Sequence, residues 1–568
     1  MSIIERDAAG QDLAAEIDEL PGFQPRLRVR NLSVAFETTA GVRSIVRGVS
    51  FDLQPGECVA IVGESGSGKS VTARSIVGLA GRGARVEAGE LTLHGRTVHG
   101  LPARQWRGIR GREVGFILQD ALVSLDPLRS VGAEIAESLR LHGWGDRASR
   151  RQKVLDLLAS VGVPEPEQRA RRRPDQLSGG LRQRALIASA LALDPDVIIA
   201  DEPTTALDVT VQAQVLALLE RSKGRGASII LISHDLSVVA QLADHILVMQ
   251  HGRVVEQGPA ARVLAAPREE YTRALIAAVP SGETRGHALS PAGEPLLAAA
   301  PPQPAVLDQV VLEVTGISKR FRTPDGAVTT AVDDVSFQLH RGETLGIVGE
   351  SGSGKSTTGR IALALETPDA GTVTLLGEPW STVSEAGRRS LRSRISVVSQ
   401  DPLSSFDPRW NVERILTDAL ARDTFASAAA RRDRIIELLD QVGLPDAVLQ
   451  RFPLRLSGGQ RQRIAIARAL AEAPDIIVLD EAVSALDVTI QAQILDLLVV
   501  LQRRHGLSYL FISHDLGVIA HLSHHVLVMK DGRVVEVGTP DQIFNRPAHE
   551  YTRALIASIP VLEPRSQS

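Results

Sequence analysis

Apolar residues along this chain gather in short, nearly unbroken runs rather than in alternation with polar ones. Six runs are of strand length: ECVAIV, DVIIA and ASIILI in the first half, and ETLGIV, DIIVLD and LSYLFI in the second. Each precedes a helical or loop segment. Strands alternating with helices imply an α/β fold with a mainly parallel sheet, and ligands bind beyond the carboxyl ends of such strands. The stretches 130–175 and 411–450 lack these runs. Within them, VLDLLASV and IIELLDQV space their apolar residues along one helix face, which predicts a helical subdomain inserted into each half. No apolar run reaches the roughly 18–20 residues that a membrane-crossing helix requires. The opening MSIIERDAAGQDLAAEIDEL is acidic and has neither the basic start nor the apolar stretch of a signal peptide.

The two sets of runs belong to one pattern written twice. GESGSGKS occurs at Gly63–Ser70 and at Gly349–Ser356, and LSGG begins at Leu177 and at Leu456. SHDL, GRVVE and EYTRALIA each recur at an offset of 280 residues. A period this long means two homologous domains, not a solenoid. Between them lies PSGETRGHALSPAGEPLLAAAPPQPAVLDQ, rich in Pro, Ala and Gly and without a sustained apolar period, the composition of a linker. The expected organisation is a disordered segment over 1–25, a first domain over 26–280, a linker over 281–308 and a second domain over 309–563.

Composition narrows the chemistry. Hydrophobic residues make up 43% and charged residues 23%, enough for sizeable cores, and the net charge of −4 does not fit a partner that is a nucleic-acid phosphate backbone. The single cysteine, Cys58, excludes an intrachain disulfide framework and fits a reducing compartment; no Cys/His spacing suggests zinc. Six lysines stand against 57 arginines. Where lysine persists, its compact ammonium is the natural reason, and two of the six, Lys69 and Lys355, lie in the GESGSGKS repeats.

Those repeats fit the phosphate-binding pattern G-x-x-x-x-G-K-[ST] between a strand and a helix. Gly63, Glu64, Ser65, Gly66, Ser67, Gly68, Lys69 and Ser70 form the first loop; Gly349, Glu350, Ser351, Gly352, Ser353, Gly354, Lys355 and Ser356 form the second. Glycines let backbone N–H groups close around a phosphate, the lysine reaches the β/γ-phosphates and the serine hydroxyl ligates Mg²⁺. Asp201 and Asp480 end apolar strands and are followed by Glu202 and Glu481. Such an aspartate can hold Mg²⁺, and the adjacent glutamate can orient and deprotonate an attacking water. LSGGLRQR and LSGGQRQR each open a helical run, and a serine with exposed N–H groups at a helix start makes a second anion site in each half.

With these motifs in hand, the chain resembles the ABC transporter ATPases over nearly all of both halves. The resemblance implies two tandem nucleotide-binding domains, each with a parallel core sheet, an antiparallel β subdomain and an inserted helical subdomain, and ATP and Mg²⁺ as cofactors. LSGG is that family's signature, and in the family it contacts ATP held by the opposite cassette. Carried over, Lys69, Ser70, Asp201 and Glu202 share one ATP with Ser457 and Gly459, and Lys355, Ser356, Asp480 and Glu481 share the other with Ser178 and Gly180. The resemblance also implies that Gln119 and Gln400 reach nucleotide and metal, that His234 and His514 act with the glutamates in catalysis, and that Phe36 and Phe321 stack on adenine. The loops TALD (Asp208) and SALD (Asp487) match as well. Two departures are visible: Leu181 stands for glutamine after the first LSGG, and Ala482 for proline after Glu481.

QDALVSLDP, QDPLSSFDP and the two EYTRALIA segments look like the dipeptide, oligopeptide and nickel importer ATPases, the first half similar to the D-type subunit and the second to the F-type. This implies a fused pair working from the cytoplasmic face of the membrane with two permease subunits and an extracellular or periplasmic solute-binding protein, importing peptides or related small solutes. The cysteine cluster that many members carry after this segment is missing. Two alternatives are weaker. A double-cassette protein acting on ribosomes calls for a longer, basic inter-domain segment, and a DNA-repair ATPase calls for zinc-binding cysteines.

Overall fold

The computed structural model describes residues 24–38, 41–119, 124–204, 207–301, 307–322, 328–420, 427–484 and 486–559. Residues 1–23 of the expected N-terminal segment, residues 302–306 of the expected linker, residues 560–563 of the second domain, Thr205 and Ala206 of TALD and Ala485 of SALD lie outside the described residues. The described chain forms two compact units, one built mainly from residues 24–272 and the other mainly from residues 273–559.

In the first unit a six-stranded sheet runs in the order Arg253–Pro259, His245–Gln250, Cys58–Val62, Ser228–Ile232, Val197–Asp201, Val114–Ile117. All neighbours are parallel except the first pair. Every residue of the three central strands is buried, because helices and the second sheet cover both faces, which is why their sequences are unbroken apolar runs. Cys58 sits fully buried in this sheet. A separate antiparallel sheet pairs Leu27–Thr38 with Gly41–Leu53, Ala84–Glu87 and Glu90–Leu93. One apolar cluster joins the two sheets, from Val29 and Phe51 through Trp106 to Ile199 and Ile230.

The second unit repeats the plan. Its central sheet runs Ile395–Val398, Ile476–Asp480, Ser508–Ile512, Thr344–Val348, His525–Lys530, Arg533–Gly538. Leu307–Arg322 pairs with Val328–Arg341 and Ala370–Leu375 in the antiparallel sheet. Trp380 is fully buried there, its indole N–H donating to the Ala362 carbonyl at 2.9 Å.

The helical insertions form where the spacing places them. Val131–Leu141 and Arg147–Ser160 pack through Ile135 and Leu139 and through Val154, Leu157 and Leu158, residues three and four apart on one face. Asp146 caps the second helix by accepting the Ser149 N–H at 2.8 Å. In the other unit, Ala428–Gln441 buries Ile435, Leu438 and Leu439 and is capped by Ser427.

Residues 281–301, which the composition marks as linker, fold as part of the second unit. Asp496, on the helix Val488–His505 and 1% exposed, accepts the N–H groups of Leu289 and Ser290, both at 2.9 Å, and the Ser290 hydroxyl at 2.6 Å. Leu289 and Ser290 are buried, and the helix Gly293–Ala299 follows. A Cβ on Gly293 would fall 2.0 Å from an Asp496 carboxylate oxygen, so only glycine allows this approach. Nearby, the Thr284 hydroxyl pairs with His521 Nδ1 at 3.0 Å. Burial, reinforced by the Arg285 and His287 charges, pushes the His521 imidazole down to about 4.

Two outcomes follow from this docking. Asp496→Ala leaves the buried Leu289 and Ser290 N–H groups unpaired and should cost about 1–3 kcal/mol, read as a lower calorimetric midpoint for the second unit and faster proteolysis within 281–301. His521 titrates near 6.5 when unfolded and about 4 when folded, so the unfolded chain takes up the proton first as pH falls. Its contribution to stability is therefore complete above about pH 6.5 and lost as pH falls toward 4. His521→Gln should flatten the dependence of the melting midpoint on pH across that window.

Candidate functional site

Each phosphate loop leaves a buried strand and enters a helix, Lys69–Ile76 in the first unit and Lys355–Ala362 in the second. Gly68 and Gly354 cap these helices at φ 104° and 98°, left-handed backbone that favours glycine. Ser65 and Gly66 stand exposed at the loop tip, as do Ser351 and Gly352, while Ser67 and Ser353 are buried. Lys69 is 5% exposed, and its ammonium donates to the Gly63 and Glu64 carbonyls at 2.6 and 2.8 Å. Lys355 does the same to Gly349 and Glu350 at 2.7 and 2.8 Å. Burial lowers the Lys355 pKa, partly offset by acidic neighbours, Glu481 foremost. Both lysines are thus folded over their own loops.

Behind each loop, the Ser70 hydroxyl donates to Asp201 at 2.8 Å and the Ser356 hydroxyl to Asp480 at 3.1 Å. Asp201 is fully buried, and its second carboxylate oxygen has no hydrogen-bond partner, the nearest cation being Arg74 at 3.8 Å. Burial raises the pKa of both aspartates. An oxygen pair of hydroxyl and carboxylate with an unsatisfied buried lone pair fits a hard divalent cation such as Mg²⁺. Among the described residues no group of three His, Cys, Asp or Glu side chains is placed to hold a metal ion by itself, so any cation here depends on mixed donors.

The adjacent glutamates are gripped from two sides. Gln119 donates its amide to one Glu202 oxygen at 2.9 Å, and His234 Nδ1 lies 3.3 Å from the other. Gln400 and His514 hold Glu481 in the same way, at 2.7 and 3.4 Å. Burial opposes charge on both histidines, but the hydrogen bond each donates to its glutamate, together with the charge of that glutamate and of the following aspartate, outweighs it and raises their pKa values. For Glu481, burial is likewise outweighed by His514, and its carboxyl lies below the usual range. Both glutamates have left-handed backbone at φ 50°, held by their own N–H bonds to Ile232 O and Ile512 O, each at 2.9 Å. Nothing in an Asp-Glu pair announces this strain, which turns the side chain out of the strand direction and toward Gln and His.

The signature serines open helices as their sequence indicates. Ser178 caps Gly179–Ala190 by accepting the Leu181 N–H at 3.4 Å. Ser457 caps Gly458–Ala469, and there Gln460 returns the bond to the Ser457 N–H at 3.2 Å, a reciprocal cap that Leu181 cannot make. Gly180 and Gly459 lie in the first turns of these helices. Phe36 and Phe321 lie on the antiparallel sheets, opposite Arg43 and Thr329. Phe36 packs partly against the core, whereas Phe321 is 41% exposed with the Lys319 ammonium 5.5 Å from its ring centre. Asp208 and Asp487 accept the N–H groups of Val211 and Ile490, each at the start of a long helix. No motif chemistry assigns a role to Tyr271 and Tyr551, although the EYTRALIA repeat marks them. Their hydroxyls accept the Glu64 and Glu350 N–H groups at 2.9 and 3.2 Å.

Comparison with known proteins agrees with this geometry. The ABC transporter family model matches residues 46–205 and 332–484. The model for the C-terminal region of oligopeptide/dipeptide transporters matches residues 255–302 and 535–568. The oligopeptide transport ATP-binding protein OppD of Mycobacterium tuberculosis is 42% identical over 95% of this chain and 99% of its own length. The peptidoglycan transport ATP-binding protein YejF of Agrobacterium fabrum is 44% identical over 94% and 96%. The glutathione import ATP-binding protein GsiA of Escherichia coli K12 is 44% identical over 95% and 90%. A glycine-rich loop backed by a serine–aspartate pair, with a glutamate held between glutamine and histidine, recurs in both units, and the chain belongs to the ABC transporter family as a double-cassette, ATP-hydrolysing member.

Proposed function

We propose that this ATPase drives import of peptides or related small solutes through separate membrane subunits, acting from the cytoplasmic face. The observation that carries the reading is that both halves hold a complete Gln–Glu–His set and both carry the oligopeptide/dipeptide C-terminal region. No helix among the described residues is long and apolar enough to cross a membrane, so the force of ATP binding must pass through a protein contact. Two permease subunits and a solute-binding protein outside the membrane complete the proposed assembly.

Lys69 and Lys355 bind the β/γ-phosphates, with N–H groups of Gly63–Ser70 and Gly349–Ser356 around them. Ser178 and Gly180, and Ser457 and Gly459, offer the second anion-binding helix ends. Phe36 and Phe321 stack on adenine. Ser70 with Asp201, and Ser356 with Asp480, hold Mg²⁺, with Gln119 and Gln400 completing the donor sets; the ion, when bound, shields phosphate charge. Glu202 and Glu481 take the proton of the attacking water. While His234 or His514 shares a proton with its glutamate, that carboxylate is a weaker base. A γ-phosphate oxygen that draws the histidine N–H to itself restores the basicity of the carboxylate that takes the proton of the attacking water.

Glu202→Gln with Glu481→Gln should lower kcat by about a hundredfold or more while ATP still binds, measured by phosphate release alongside nucleotide-binding titration; near-normal turnover overturns the assignment of the base.

Gln119→Ala with Gln400→Ala should uncouple more than inactivate. Each glutamine lies two residues past an edge strand of the central sheet and precedes the helical insertion, so it is placed to relay nucleotide state to a partner docked there. In proteoliposomes with the permeases, basal ATPase should fall less than the stimulation by loaded binding protein does. A purified protein that never associates with permeases, and instead binds ribosomes or DNA in an ATP-dependent way, refutes the import reading.

A further inference from the structure

Two duplicated motifs, GRVVE and EYTRALIA, have no part in the chemistry above, yet the structure ties them to the phosphate loop in both units. The glutamate ending GRVVE is Glu256 in one and Glu536 in the other. Glu256, 4% exposed, accepts the N–H groups of Arg268 and Glu269 at 3.0 and 3.1 Å. Glu536 accepts those of Ala548 and His549 at 2.8 and 3.1 Å. These four residues lead directly into the helices Glu270–Ala277 and Glu550–Ala557, so each carboxylate pins the start of an EYTRALIA helix, where negative charge also meets the positive end of the helix dipole. Burial works against the charge on both glutamates, but the N–H groups they accept, the neighbouring Thr272 and Thr552 hydroxyls and the positive charge of Arg262 or His549 together outweigh it and hold both carboxyls below the usual range.

One residue into each helix, the tyrosine hydroxyl reaches the loop. Tyr271 accepts the Glu64 N–H at 2.9 Å, and Tyr551 accepts the Glu350 N–H at 3.2 Å. The N–H of Glu64 belongs to the same peptide group as the Gly63 carbonyl, which accepts the Lys69 ammonium at 2.6 Å. In the second unit the Gly349 carbonyl accepts Lys355 at 2.7 Å. A single planar peptide is thus held at one end by the tyrosine and at the other by the phosphate-binding lysine. Because the group is rigid and polarisable, fixing and polarising its N–H orients and strengthens its carbonyl as an acceptor. Tyr551 is additionally clamped, 8% exposed with the Lys530 ammonium 4.9 Å from its ring centre, and burial pushes its phenol up to about 12, so it remains a neutral hydroxyl.

We infer that Tyr271 and Tyr551 are positioning residues for the two ATP sites, setting the peptide that aims Lys69 and Lys355. Through them the C-terminal region acts on the ATPase itself. The inference rests on the reading that these lysines bind ATP phosphates.

The test is Tyr271→Phe with Tyr551→Phe in the full chain, since phenylalanine keeps the ring and removes only the hydroxyl. Losing one hydrogen bond per site should raise the KM for ATP about three- to tenfold, with kcat within about twofold and the nucleotide-free melting midpoint unchanged. Glu256→Gln with Glu536→Gln should move KM in the same direction, because the weaker acceptors loosen the helix start. Lys69→Ala with Lys355→Ala serves as the reference. If the lysine variant loses ATP binding and the tyrosine variant keeps both KM and kcat, the positioning role is wrong. A tyrosine variant that lowers kcat and melting midpoint together, without a selective rise in KM, likewise overturns it in favour of a packing role. If the lysine variant itself binds ATP normally, the reading of the loop is what fails.

Discussion

Everything at the two candidate sites depends on the register of a parallel sheet. Asp201 lies opposite Ile232 and Asp480 opposite Ile512, so each aspartate ends its strand level with the strand that leads into Ser-His-Asp. One further ladder bond, from the next residue's N–H to that isoleucine carbonyl, pulls Glu202 and Glu481 into left-handed backbone. A glutamate in that conformation costs on the order of 1 kcal/mol. It is sustained because the surrounding strands are buried on every side and cannot shift without losing the ladder. The strain delivers a carboxylate between Gln119 and His234, or Gln400 and His514, rather than leaving it to continue along the strand.

The two units repeat this arrangement closely, and their differences are local and chemical. Gln460 completes a reciprocal cap on the second signature helix where Leu181 leaves the first with a single bond. Lys530 stacks on Tyr551, while the matching position in the first unit is Gln250. Neither change touches the serine–aspartate pairs or the gripped glutamates. Duplication has therefore kept the serine–aspartate pairs and the gripped glutamates alike and varied the contacts that support them.

The segment after the first cassette shows a buried carboxylate used as an anchor. Asp496 is the one carboxylate among the buried residues of its helix, which are otherwise apolar but for Gln491 and Gln502, and burial raises its pKa. Its cost is offset by three donors from Leu289 and Ser290, supplied by a stretch whose composition carries no helical or strand period. A carboxylate in this setting gives specificity of docking more than net stability, because only a chain presenting those N–H groups, with glycine at 293, can cover it.

Sequence by itself determined the α/β class, the duplication, the phosphate loops, the Asp-Glu pairs and the signature serines. Those features follow from rules that act along the chain: unbroken apolar runs for strands buried on both faces, glycine where φ is positive, and a serine before a helix. Tertiary structure alone decided that Gln119 and His234, more than a hundred residues apart, close on the two oxygens of Glu202. It alone decided that residues 281–301 dock on Asp496, and that Tyr271 and Tyr551 reach back to the loops. Each of these is a hydrogen bond between segments far apart in sequence, whose partner is set by where strands and helices end in space. A polar residue's own neighbours carry no record of that distant donor or acceptor, so the pattern that fixed the elements could not disclose it.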